Sequence, residues 1–143
     1  MFTPSRNEAR QFMFETWHKY RAGQPLAGLE QVALKVMLLH PEYHALLDQP
    51  DRFIERDYTP DGGGLNPFLH LSLHIAVEEQ LAIGHPAGIR LHFERITAAT
   101  GSQHDAMHAV IECLAETLWQ AQRTATAPDE AAYVACLENR GRG

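Results

Sequence analysis

Apolar residues recur along the chain at intervals of three and four, and no stretch alternates apolar and polar residues for long enough to predict a strand. The pattern predicts an all-α, up-and-down bundle of five or six helices. The first helix opens at a capping box, Ser5 to Glu8, carries the stripe Ala9, Phe12, Met13, Trp17 and Tyr20, and stops at Gly23. The second begins near Pro25. Its stripe is Leu29, Ala33, Val36 and Met37, widened by Val32, Leu34, Leu38 and Leu39, with His40 on the same line. Pro41 ends or kinks it, and a short helical piece from Pro41 to Leu47 carries His44.

Residues 48–65 form the longest irregular stretch, with Pro50, Pro60 and Gly62, Gly63 and Gly64. No Lys-Ser or Lys-Thr follows the glycines, so they are not a phosphate loop but a flexible connection. Asn66 and Pro67 cap and open a third helix to about Ala82. A turn at Gly84, His85 and Pro86 leads to a fourth helix, about 86–99, which places Ile89, Phe93 and Ile96 inward and ends at Gly101. Ser102 and Asp105 open a fifth helix to about Gln122. Residues 124–128 are a linker, and Pro128, Asp129 and Glu130 open a last helix with Tyr133, Val134 and Leu137 inward. The whole chain, 1–143, reads as a single domain.

Two of these helices carry a repeated chemical pattern. His70, His74 and Glu78 are spaced by four, and His104, His108 and Glu112 repeat that order 34 residues later. Residues four apart stack on one helix face, so each triplet is a row of two imidazoles and a carboxylate. With Phe68 as zero, the first row falls at roughly 200°, 240° and 280°, in the middle of the apolar face, with Ser72, Glu79 and Gln80 opposite. The second row sits among Met107, Ile111, Leu114, Leu118 and Trp119, with Glu112 at the edge and Cys113 turned away. Two facing rows would supply ligands for one or two transition-metal ions, and His44 or His40 could complete the shell. The donor types favour iron, manganese or zinc over calcium or magnesium, which want more oxygens, and iron is the first expectation. A zinc-protease motif would need Glu after the first His, and Leu71 and Asp105 stand there instead. His18, His85 and His92 read as structural or surface residues. The alternative is a non-enzymatic interaction module whose histidines form a structural polar core.

Composition narrows the partners. The net charge of −6 lacks the basic face that nucleic acid or an anionic membrane requires, so neither is expected, and a homodimer stays open. No segment approaches the roughly 20 apolar residues that span a bilayer, and residues 1–10 lack a signal peptide's apolar core, which makes the cytoplasm the expected compartment. There the two cysteines, Cys113 and Cys136, are expected as free thiols packed like small hydrophobes.

The pairs His74–Glu78 and His104–His108 resemble the His-x3-Glu and His-x3-His pairs of hemerythrins. That likeness implies a four-helix core around an oxygen-binding di-iron centre, although the usual last-helix His and Asp have no match after Pro128. Over nearly its whole length the chain resembles a proteobacterial family known as domain of unknown function 1841. The segments Asn66-Pro-Phe-Leu-His-Leu-Ser-Leu-His74, Glu78-Glu79-Gln80 and Leu38-Leu-His-Pro-Glu-Tyr-His44 carry this resemblance. It implies a small bacterial protein and brings no activity with it.

Overall fold

The helix starts and stops predicted from local chemistry govern the observed element order. The computed structural model describes residues 6–53 and 66–142, and among them it contains helices and no strand. By their internal packing the residues fall into two compact units, Met1–Ile75 and Ala76–Gly143. The division falls inside one helix.

The first unit holds α1 (Arg6–Arg21), α2 (Leu29–Leu38), a 3-10 turn (Pro41–Tyr43), α3 (His44–Leu47), α4 (Pro50–Phe53) and the first half of α5 (Pro67–Ile83). The proposed cap Ser5 and the glycines 62–64 lie outside the described residues. Gly23, at φ 70°, ends α1 as expected. Its N–H donates to Tyr20 O at 3.1 Å and that of Gln24 to Lys19 O at 2.8 Å, a paired closure that satisfies two carbonyls of the last turn. α2 starts later than the proline suggests, after Gly28. Lys19 meets Glu30 at 2.7 Å and ties the start of α2 to α1. That ammonium holds the Glu30 carboxyl below its usual range.

Met13, Phe14, Trp17, Ala33, Val36, Met37, Leu47, Phe68, Leu71 and Ile75 form the core of this unit. Leu38 and Leu39 are exposed, at 46% and 57%, so the apolar face of α2 is narrower than its composition suggests. His40 explains the end of α2. Preceding Pro41, it leaves the helical region for φ −125°, ψ 68°, where the proline ring no longer clashes with it. The chain then turns at once into α3. Asn66 caps α5 as expected, its Oδ1 accepting from the N–H groups of Phe68 and Leu69 at 3.0 and 3.1 Å.

The second unit holds the rest of α5, then α6 (Ile89–Thr100), α7 (Gln103–Thr124) and α8 (Glu130–Gly141). Arg90 closes the end of α5 by donating to the carbonyls of Leu81 and Ala82 at 2.8 and 2.6 Å. Ser102 Oγ caps α7 through Asp105 N at 3.0 Å, and Asp129 Oδ1 caps α8 through Ala132 N at 3.1 Å. Two expectations are corrected here. Gln80 is buried rather than on a solvent face, because it accepts the Tyr133 hydroxyl at 2.7 Å. Cys113 and Cys136 are not free thiols: they are bonded to each other and join α7 to α8.

Candidate metal site

The break before Pro41 and the cap at Asn66 together decide where the first histidines go. His40 closes α2, while His70 and His74 stand on successive turns of α5. His40 is 6% exposed and both its ring nitrogens are engaged. Nδ1 lies 2.8 Å from the carbonyl oxygen of Val36, one turn back on its own helix. A carbonyl only accepts, so Nδ1 carries the hydrogen and donates it. In the neutral ring this leaves the Nε2 lone pair pointing outward, 2.9 Å from Nε2 of His70. His70 Nε2–H is then the donor between the two rings.

Aromatic faces wall the pair. Tyr43 stacks on His40 with ring centroids 5.5 Å apart and planes 6° apart, and meets His70 edge-on at 6.2 Å. The Tyr43 hydroxyl is pushed above its usual range, first by burial and then by the charge of Glu42. His74, 4% exposed, presents its ring edge-to-face with His40 at 5.2 Å and with His70 at 6.1 Å. Three imidazoles therefore cluster within one unit, two on α5 and one at the end of α2.

This arrangement has the chemistry of a ligand set. A histidine that ligates a metal commonly donates its other N–H to a carbonyl or carboxylate, which fixes the tautomer and the ring direction. The Val36 carbonyl does this for His40. Two nitrogens bound to one tetrahedral ion at 2.0–2.1 Å stand about 3.3 Å apart. An ion between His40 and His70 thus requires the rings to part by only about 0.4 Å.

His44 Nε2 donates to Met37 O at 2.8 Å and its ring rests on Trp17 at 4.5 Å, so it supports α3 against α1. Glu78 lies one turn beyond His74 on α5 and is half-buried. In the second unit, His104 and His108 touch, with ring centroids 4.3 Å apart, but His104 is exposed and His108 only half-buried. Glu112 is exposed and pairs with Arg140 at 2.7 Å, and Trp119 is 51% exposed. The reason is the true direction of α7's buried face. Ala106, Val110, Cys113, Thr117 and Ala121 are all buried and centre that face near Val110. By the helical rule the row His104, His108, Glu112 then lies roughly 120–200° away from it. Of the remaining histidines, His85 is on the surface beside Glu130 at 3.3 Å, His18 is exposed, and His92 is buried.

The family model for "Domain of unknown function (DUF1841)" matches residues 5–139. The chain belongs to the DUF1841 family. No curated protein and no solved structure matches it. The family brings no activity, so the case for function in this DUF1841 chain rests on its own residues. Tyr43, stacked on His40, is the neighbour of the candidate site that the sequence pattern did not single out. Its signal was its place, three residues after His40 and just beyond a helix-ending proline.

Proposed function

We propose that this protein binds a transition-metal ion with the imidazole nitrogens of His40 and His70 as the central pair of ligands. The observation that carries the reading is the fixed tautomer of His40, whose Nδ1–H is spent on Val36 O while Nε2 meets His70 Nε2 at 2.9 Å. Two imidazole nitrogens leave further positions on the ion for other protein ligands, water or a substrate. The donor set suits iron, zinc or manganese. Iron would add oxygen or redox chemistry, and zinc would add hydrolytic or structural work. A second reading, a structural histidine core in an interaction module, draws on the same two hydrogen bonds, since they satisfy His40 without an ion.

The test is metal analysis of untagged protein by mass spectrometry. About one ion per chain is expected, lost in His40→Ala and His70→Ala and retained in His44→Ala. A metal-free protein whose unfolding midpoint ignores added Fe(II), Zn(II) and Mn(II) would establish the structural core instead. The double variant His104→Ala, His108→Ala tests the wider, hemerythrin-like form of the proposal. Two ions in the parent and fewer in the variant support that form; an unchanged count confines the centre to the first unit.

A further inference from the structure

The cysteine pair in the second unit is asymmetric. Cys113 is fully buried on α7, whereas Cys136 on α8 is partly exposed. Both line an open cleft of about 290 Å³ between the two helices, together with Glu116, Thr117, Gln120, Thr124 and Asp129 among others. The cleft is at the small end of the range for ligand sites, so it fits a low-molecular-weight compound better than a protein chain. Its only charged lining residues, among those described, are Glu116 and Asp129, both acidic.

We propose that Cys136 is a thiol-exchange site that takes small neutral or cationic thiols from this cleft. The thiolate of the small molecule attacks Sγ of Cys136, and a new sulfur–sulfur bond forms as the bond to Cys113 breaks. The electron pair leaves on Cys113 Sγ, which takes up a proton, so the net reaction consumes one small thiol and yields one mixed disulfide and one protein thiol. Attack falls on Cys136 because that residue is the one solvent reaches. The Cys113 thiol stays beside the mixed disulfide and re-forms the protein disulfide by the reverse attack, so the adduct is the short-lived form that an acid quench traps. The two carboxylates select the charge of the incoming thiol. An anionic thiol is repelled at the rim and a cationic one is drawn in.

The experiment uses the folded, oxidised protein. Cysteamine, 2-mercaptoethanol and 2-mercaptoethanesulfonate are compared at equal thiolate concentration, with acid quench, intact mass and peptide mapping. The expected result is a single adduct on the peptide holding Cys136, with Cys113 free. Cysteamine should react about tenfold faster than the sulfonate at low salt, and the ratio should collapse near 1 M salt, where screening reaches about 3 Å. Glu116→Gln should narrow the ratio without moving the adduct. Adducts on Cys113, reduction only under unfolding denaturant, rates indifferent to thiol charge, or a protein isolated with both thiols reduced would each overturn the proposal.

Discussion

Tyr133 is a phenol that the protein holds neutral. Its ring is 4% exposed and its hydroxyl donates to Gln80 Oε1 at 2.7 Å. Burial raises its ionisation well above the ordinary value of 10.0. The folded state thus favours the protonated form. That preference is fully present below pH 10 and is lost as pH rises through the folded value. Urea unfolding from pH 8 to pH 11 should show stability falling at the alkaline end. Tyr133→Phe should lose about 1–2 kcal/mol at pH 8 and show a shallower alkaline decline. An identical decline in both proteins would assign the alkaline sensitivity to other groups. His40 shows how much of a site a residue-level reading of sequence can recover. Its position on the α2 stripe marked it as a candidate, and Pro41 marked the helix end. The Val36 hydrogen bond that orients the ring depends on backbone angles that spacing does not encode.

Helix ends were the most legible elements, because caps are local chemistry. Asn66, Gly101, Ser102 and Asp129 occupy the cap positions that their sequence neighbours predict. Asn66→Ala removes an acceptor for two N–H groups of α5 and should cost about 1 kcal/mol, read as a lower urea midpoint with an unchanged m-value. An effect within error would mean water replaces the cap. Helix faces were less legible. α5 is apolar nearly all round, so its periodicity could not reveal that Gln80 is buried. On α7 the row of two histidines and Glu112 borders an apolar sector, and only packing shows that Ala106, Cys113 and Thr117 centre the buried face. Small residues at close helix contacts carry little weight in a pattern of large hydrophobic residues, yet they decide which way a helix turns. α2 likewise starts at Leu29, after Gly28, rather than at Pro25, whose preset φ suits a turn equally well.

At the scale of the molecule, the cysteine pair closes a segment spanning 23 residues of the second unit. Expecting thiols followed from assigning a reducing compartment to the chain. No helix among the described residues is long and apolar enough to cross a membrane, which leaves that assignment without support of its own. Closing a loop of this length restricts the unfolded chain by about 3 kcal/mol. The double variant Cys113→Ala, Cys136→Ala should therefore melt about 10 °C lower by calorimetry. A shift under about 2 °C would show that the unfolded chain is compact with or without the bond. α8 is attached by three unlike means: the covalent bond at Cys136, the buried hydroxyl at Tyr133 and the exposed pair of Arg140 with Glu112. Each fails under a different insult, the first under reductant, the second in alkali and the third in salt. A twelve-residue helix that would fray alone thus keeps two moorings when any one is cut, and only a combination of stresses sets it adrift.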